Sequence, residues 1–340
     1  MPVARRITRT RLLTAGVGAL AAALGLAACG SSSSGGSGGT LHLVAYSTPQ
    51  QAYARLIPAF QATPAGKDVT FTQSYGASGD QQRAVASGLP ADVVALSLAP
   101  DVTKLVDAGL VSSDWNKDTY QGMVTDSVVA LTVRKGNPKH VKDWSDLVRP
   151  GIGVVTPNPF TSGGARWNLM GAYGAQIKRG KSPAQALDFV KQLFGHVVSQ
   201  DKSARESLQT FLAGRGDVAI TYENEAITAQ QKGQPVDFVI PPQTIKIENP
   251  IAVVIKGGHV TQARAFIDFL RTPAAQAIFV KNGYRPVAKG VAGAQRFAAP
   301  PGLFTIASLG GWKAVSKQFF DPQKGSVAAI EQGLGVPTAK

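Results

Sequence analysis

Apolar and polar positions alternate along the chain in two different periods, which predict strands and helices in turn. From residue 41 onward, short apolar runs are separated by amphipathic segments. Leu41 to Tyr46 is a strand-like apolar run, and Leu56, Ile57 and Phe60 then fall on one helical face. Strands that alternate with helices at this spacing indicate an α/β protein with largely parallel sheets.

The same pattern continues over the rest of the chain. Further strands are predicted at 69–74, 91–96, 128–133, 152–155, 218–222, 236–240 and 251–255. Helices are predicted at 165–176, 183–195 and 203–213, and one long helix is predicted over 262–281. With 340 residues, the chain is long enough for two globular lobes, each with its own core.

The N-terminal residues have the pattern of an export signal. Four arginines between Arg5 and Arg11 precede an apolar stretch at 12–26, and small residues lead into Cys29, the single cysteine of the chain. A run of Gly and Ser at 30–39 follows. We therefore predict a signal peptide at 1–28, with Cys29 as an acylated lipoprotein cysteine and 29–39 as a flexible tether. An ordinary free cysteine in a linker is the alternative, and the export route stays open.

Charge and motif content narrow the classes of function. The formal net charge of +14 suits nucleic acid, a membrane surface or a small anion. The basic residues are dispersed and lack interleaved aromatics, which disfavours nucleic acid. None of the four histidines has another His or Cys at metal-ligand spacing, and no Gly-x-Ser-x-Gly elbow is present. A secreted hydrolase would need a catalytic set assembled from distant residues. Glu223 and Glu225 are read as a solvated loop or a structural ion pair.

Four turns of small residues precede predicted helices. They are Ser47-Thr48, Gly76-Ala77-Ser78-Gly79, Thr161-Ser162-Gly163-Gly164 and Ser203-Ala204. Unsatisfied N–H groups at helix N-termini bind anions, so four such ends around one cleft would suit a tetrahedral oxyanion. Taken singly, each turn is better explained by helix capping. Two glycines at a helix start indicate close approach of the backbone to another group. Arg166 and Arg205 either lie on the surface or brace these loops.

The turns belong to longer segments that carry a family resemblance. The strongest block comprises Val133-Arg134-Lys135-Gly136-Asn137-Pro138, Asp143-Trp144-Ser145-Asp146-Leu147, Thr156-Pro157-Asn158-Pro159 and Ser162-Gly163-Gly164-Ala165-Arg166-Trp167-Asn168. Further matches are Ser74-Tyr75-Gly76-Ala77-Ser78-Gly79, Glu223-Asn224-Glu225, Tyr284-Arg285-Pro286 and Gly310-Gly311-Trp312. From residue 41 onward the sequence resembles the sulfate-binding proteins of ABC transporters, within the type II periplasmic-binding-protein fold.

This resemblance implies two α/β lobes, each a mostly parallel sheet flanked by helices. Lobe 1 would comprise 40–127 plus 251–340, and lobe 2 would comprise 128–250. The sulfate ligands would be the backbone N–H groups of Ser47, Ser78, Gly163, Gly164 and Ala204, the hydroxyl of Ser162, and Tyr222. Tyr222 stands where the family has a tryptophan indole, so the geometry of this seventh contact is open. Asp80 stands where the family often has lysine, and it would oppose anion binding unless it points away.

The expected function is that of an exported, membrane-anchored monomer that delivers sulfate to an ABC permease. The resemblance implies no catalysis, cofactor or metal, and no nucleic-acid partner. Arg166 and Arg205 would support the anion loops without touching the ligand. Thiosulfate, molybdate or tungstate is the alternative ligand.

Overall fold

The computed structural model describes residues 38–338. The predicted signal peptide, Cys29 and nearly all of the tether lie outside these residues. The strands are β1 (Gly39–Tyr46), β2 (Val69–Gly76), β3 (Val93–Ala95), β4 (Met123–Arg134), β5 (Val154–Pro157), β6 (Val197–Asp201), β7 (Val218–Tyr222), β8 (Val236–Val239) and β9 (Lys246–Val253).

Helices alternate with these strands over most of the chain. They are α1 (Gln50–Gln61), α2 (Ser78–Ala86), α3 (Ala99–Asp107), α4 (Gly163–Lys178), α5 (Pro183–Gly195), α6 (Ala204–Leu212), α7 (Glu223–Gln231), α8 (Val260–Leu270), α9 (Pro273–Lys281), α10 (Gly311–Phe319) and α11 (Ser326–Gly333). Short 3-10 turns cover Trp144–Val148, Ala294–Arg296 and Ile306–Leu309. The α/β class predicted from the sequence is confirmed.

Hydrogen bonding links the strands in the order β2-β1-β3-β9-β4-β7-β5-β6, and β8 pairs with β4. Parallel pairs lie at both ends of this path: β1 pairs with β2 and β3, and β5 pairs with β6 and β7. Parallel strands require crossover connections, and the helices supply them. The two ends therefore form two α/β halves, and β4 and β9 connect them.

Strands β4 and β9 each change partner midway. Val128 of β4 pairs with Lys246 of β9, whereas Val129 pairs with Tyr222 of β7. In β9, residues 246–250 pair with β4 and residues 251–253 pair with β3. These changes fall beside the crossings predicted from the resemblance, at 127/128 and 250/251. The lobe boundaries stay a prediction.

Each half has its own aromatic core. In the first, Phe266 lies between Phe60 and Phe71, with ring centroids 5.1 and 4.9 Å away. In the second, Trp144 and Trp167 are fully buried. Burial of apolar side chains supplies the main stabilisation, at about 25 cal/mol per Å² removed from water. Two separate cores allow the halves to hold their shape independently.

The C-terminal segment packs against the second half. The ring of Trp312 meets Trp167 edge to face at a centroid distance of 4.7 Å, and Phe319 meets Tyr173 in the same way at 4.8 Å. Gln200 Nε2 donates to Glu331 at 2.9 Å. The resemblance assigned these residues to lobe 1, and their contacts favour placing about 304–338 with lobe 2 instead.

One predicted helix needs correction, and one strand was missed. The long helix predicted over 262–281 is two helices, because Thr272 accepts a hydrogen bond from Ala275 N–H as an N-cap and Pro273 begins α9. Proline and an N-cap together start a new helix rather than continue an old one. Strand β6 was not predicted, because its polar second half, Ser199 to Asp201, interrupts the apolar run.

Candidate functional site

The N-terminal ends of α1, α2, α4 and α6 meet in the space between the two halves. The backbone N–H group of Arg205 donates to Ser47 Oγ at 3.4 Å. Arg205 lies in the first turn of α6, and Ser47 precedes α1. Gly79 N–H in α2 donates to the carbonyl of Thr161 at 3.1 Å, just before α4. Thr161 Oγ1 donates to the carbonyl of Lys202 at 2.7 Å, just before α6. The four turns that the sequence separates are thus joined by direct contacts.

The two glycines that begin α4 allow this close approach. A Cβ atom on Gly163 would lie 2.8 Å from Leu98 Cγ and 2.9 Å from both Cβ and Oγ of Ser97. A Cβ atom on Gly164 would lie 3.3 Å from Ala204 Cβ and 3.7 Å from the Tyr222 ring. A side chain at Gly163 would push the first half of the molecule away, whereas one at Gly164 would crowd Ala204 and Tyr222 within the second half. Both glycines are buried.

At the place where the four helix N-termini meet, here called the junction, five backbone donors have no acceptor within residues 38–338. Within residues 38–338, no hydrogen bond is formed by the N–H groups of Ser47, Ser78, Gly163, Gly164 and Ala204. Buried N–H groups are nearly always paired, and the first N–H groups of a helix have no intrahelical partner. Unpaired N–H groups at helix ends that carry partial positive charge are chemically suited to an anion.

The serine side chains at two of these ends behave differently. Ser162 occupies the N-cap position of α4, but its side chain accepts no hydrogen bond from the backbone of that helix. Its hydroxyl has no partner within residues 38–338. At α2, Ser78 Oγ donates to Asp101 Oδ2 at 2.7 Å and accepts from Ser97 N–H at 3.0 Å. The Ser78 hydroxyl is therefore engaged within the protein, whereas the Ser162 hydroxyl remains available to a ligand.

Tyr222, at the end of β7, lies beside the start of α4 with its ring next to Gly164. Its hydroxyl oxygen is 2.7 Å from Ser97 Oγ. The side chain is 2% exposed, and burial raises the pKa of the phenol well above its ordinary value. Tyr222 therefore keeps its proton, and that hydroxyl is hydrogen-bonded to the opposite half.

Arg205 and Arg166 support the loops from behind. Arg205 contacts Glu225 through two N–H groups, at 3.2 and 3.0 Å, and donates to the carbonyl of Thr48 at 2.8 Å. The Glu225 carboxylate raises the pKa of Arg205. Arg166 Nε donates to the carbonyl of Pro159 at 2.8 Å, and burial lowers its pKa. Each guanidinium thus holds a loop that carries a proposed donor.

Asp80, the acid in the first turn of α2, is neutralised by two cations. It forms ion pairs with Arg83 and with Lys202, the latter at 2.9 Å. Lys202 lies just before α6, so this second pair joins two of the four loops. These two ion pairs offset the repulsion between Asp80 and an anion that was expected from the sequence.

Glu223 and Glu225 form ion pairs rather than a catalytic couple. Glu223 accepts from Arg285 Nε at 2.7 Å, and Glu225 pairs with Arg205. Of the two sequence readings, the structural ion pair is confirmed, although both residues are buried rather than solvated. Across residues 38–338, no cluster of three or more His, Cys, Asp or Glu residues could hold a metal ion.

Two residues of the junction were missed by sequence reasoning. Ser97, after β3, contacts Ser78, Tyr222 and the start of α4. Asp101, in the first turn of α3, fixes the Ser78 hydroxyl. A serine between a buried strand and a helix was a detectable signal for the first. The sequence gives no signal that distinguishes Asp101 from an ordinary acidic residue at a helix start.

Known proteins are similar in sequence to this chain over most of its length. Residues 41–285 match the family described as bacterial extracellular solute-binding protein. The chain belongs to this family. A sulfate-binding protein of Synechococcus elongatus is 46% identical to this solute-binding protein, over 92% of the chain and 94% of the relative. A thiosulfate-binding protein of Pseudomonas aeruginosa is 35% identical, over 82% of the chain and 88% of the relative.

A solved structure agrees with the fold of this solute-binding protein. The sulfate-binding protein SubI from Mycobacterium tuberculosis superimposes with a TM-score of 0.81 at 47% identity, covering 83% of this chain and 99% of SubI. The two-lobed periplasmic-binding-protein fold predicted from the sequence is thereby confirmed. In the part of the chain described, no helix is both long enough and apolar enough to span a membrane.

Proposed function

We propose that this solute-binding protein captures sulfate between its two halves and delivers it to an ABC importer. The observation that carries the proposal is the convergence of five unpaired N–H groups, those of Ser47, Ser78, Gly163, Gly164 and Ala204, with the free Ser162 hydroxyl beside them. Two proteins named as sulfate-binding proteins, at 46% and 47% identity, support the choice of ligand.

The donor set fits the chemistry of sulfate. Hydrogen bonds to a charged partner contribute about 1.5–3 kcal/mol each, so six of them can offset a large desolvation cost. Sulfate carries no proton at neutral pH and needs no acceptor. Hydrogen phosphate has a proton that requires an acceptor, and the N–H groups of the proposed donor set cannot supply one. We expect the same donors to discriminate strongly against phosphate.

Delivery requires opening of the cleft and no bond chemistry, so we propose a binding protein rather than an enzyme. Hinge bending in β4 and β9, the two strands that change partner between the halves, would release the ligand. No cofactor is required. We further propose that Cys29 is acylated and anchors a monomer to the outer face of the cell membrane. Replacing Cys29 with alanine should abolish incorporation of a labelled fatty acid.

Isothermal titration calorimetry with a panel of anions tests the ligand. The full chain, freed of bound anion, is titrated with sulfate, thiosulfate, molybdate, tungstate and phosphate. We expect a sulfate Kd of about 1 µM or tighter, equivalent to about −8 kcal/mol, and no measurable heat from phosphate. Tighter binding of phosphate than of sulfate would overturn the proposal.

Thiosulfate is the second candidate ligand. It is favoured by the 35% identity to a thiosulfate-binding protein and by Tyr222, whose hydroxyl points to Ser97. Thiosulfate replaces one oxygen with a larger sulfur that accepts hydrogen bonds weakly. If thiosulfate bound at least tenfold more tightly than sulfate, the transported ligand would be reassigned.

A further inference from the structure

Ser97 and Tyr222 come from opposite halves of the molecule. Ser97 follows β3, which pairs with β1 and β9 in the first half. Tyr222 ends β7, which pairs with β4 and β5 in the second half. Their hydroxyl oxygens are 2.7 Å apart. The side chains are 1% and 2% exposed, so this hydrogen bond crosses the cleft without contact with solvent.

Every polar atom of Ser97 takes part in the junction. Its N–H group donates to Ser78 Oγ at 3.0 Å, and its carbonyl accepts from Trp167 Nε1 at 2.9 Å and from Asn249 Nδ2 at 3.4 Å. Its hydroxyl faces Tyr222 and lies 2.9 Å from the point where a Cβ atom on Gly163 would be. Ser97 therefore touches two of the loops whose N–H groups are proposed to hold the ligand.

We propose that the Ser97–Tyr222 hydroxyl pair is a latch that slows release of the bound anion without contacting it. The proposal rests on the proposed function and assigns to Tyr222 a positioning role in place of direct ligation. The pair forms when the loops around the ligand are together, so it stabilises the closed state and the ligand-bound state alike. Opening the cleft separates the two hydroxyls and must replace their buried bond with water.

Two conservative variants remove the latch. Ser97→Ala keeps the Cβ atom that packs against Gly163, and Tyr222→Phe keeps the ring that lies beside Gly164. Loss of one neutral hydrogen bond should accelerate sulfate release about two- to tenfold in each variant. The association rate should stay within about twofold of wild type, since interface changes act mainly on dissociation.

The double variant distinguishes a latch from a ligand contact. Because both oxygens serve one interaction, the combined variant should release sulfate no more than about twofold faster than either single variant. Stopped-flow tryptophan fluorescence can follow release, because the indole of Trp167 donates to Ser97. If Tyr222 contacts the anion directly, the two effects will multiply and Tyr222→Phe will change the ranking of anions. Either result would overturn the latch.

A matched hydroxyl pair provides the control. Thr132 Oγ1 and Thr221 Oγ1 are also 2.7 Å apart and buried, but both belong to the second half, in β4 and β7. Thr132→Val should lower the melting temperature and leave the release rate unchanged. Loss of the latch should leave the ligand-free melting temperature unchanged and reduce the rise caused by sulfate.

The outcomes separate the latch from the proposed function. If the calorimetric panel selects thiosulfate or molybdate, release is measured with that anion instead. A wild-type protein that binds no oxyanion would overturn both proposals together. Normal binding with unchanged release from Ser97→Ala and Tyr222→Phe would overturn the latch alone.

Discussion

Helices α4 and α5 follow one another in the chain and both begin after a serine, but the two serines do different things. Ser182 caps α5: its hydroxyl accepts from Gln185 N–H at 3.3 Å, and the Gln185 side chain accepts from Ser182 N–H at 3.0 Å. Ser162 precedes α4 and makes no such bond. Ser182 is exposed, whereas Ser162 is buried at the junction of the halves.

The start of α5 is thus stabilised by side-chain hydrogen bonds to its own backbone, whereas the start of α4 has no such side-chain cap. At α5 the capping box satisfies two donors, and Pro183 occupies the first helical position. At α4 two glycines replace good helix formers, at a cost of roughly 0.5–1 kcal/mol each. Helix α4 therefore begins with neither a side-chain cap nor good helix formers, as expected if its first N–H groups serve the proposed ligand. Helix α6 is intermediate, since Ser203 caps it but the Ala204 N–H group stays unpaired.

The largest expected effect comes from filling the space at Gly163. Gly163→Val would bring a side chain within 2.8–2.9 Å of Leu98 and Ser97, so the halves could not close. We expect sulfate binding to fall at least about hundredfold, equivalent to about 2.8 kcal/mol, in calorimetric titration. Gly195→Val is the control, because no atom lies within 4 Å of a Cβ atom there. Normal binding by a folded Gly163→Val protein would refute the proposed loop contact.

A smaller effect on sulfate binding is expected at Ser162. Ser162→Ala removes one hydroxyl donor to a charged ligand, which should weaken sulfate binding about tenfold. The free energy of unfolding of the ligand-free protein should change by less than about 0.5 kcal/mol, because the hydroxyl caps nothing. Calorimetry and urea denaturation measure the two quantities. Unchanged affinity, or a marked loss of stability, would make Ser162 an ordinary cap.

At Ser182 we expect an effect on stability and none on sulfate affinity. Ser182→Ala removes the hydroxyl that pairs with Gln185 N–H and should lower the free energy of unfolding by about 1 kcal/mol. Sulfate affinity should be unchanged, since α5 begins away from the junction. Ser162→Ala is thus expected to lower sulfate affinity without changing stability, and Ser182→Ala to lower stability without changing sulfate affinity. A loss of affinity in Ser182→Ala would erase the distinction between the two helix starts.

The smallest effect is expected from pH. Sulfate keeps its double charge and the proposed donors are N–H groups and a serine hydroxyl, so affinity should vary less than about threefold between pH 6 and 9. Tyr222 does not titrate in this range, because burial raises its phenol pKa well above the ordinary value. Titrations in buffers of equal ionic strength test this. A steep fall in affinity over this interval would place a titrating side chain against the ligand.

Much of the site was predictable from local sequence. All four turns do precede helices, and the predicted helix at 183–195 and strand at 218–222 have the observed bounds. Periodicity and turn chemistry act over a few residues, so they can be read directly. The break at Thr272 and Pro273 carried a recognisable signal too, an N-cap followed by proline, which the continuous apolar face obscured.

The sequence by itself determined most of the strands and helices and identified four turns of small residues that precede helices. The tertiary structure decided which of those groups share one space, that Ser162 stays free while Ser78 binds Asp101, and that Tyr222 faces Ser97 across the cleft. These partners lie 23 and 125 residues apart in the chain. Local propensity depends on residues that are close in the sequence, so it cannot predict these contacts. Only the packing of the two separate cores brings those residues together.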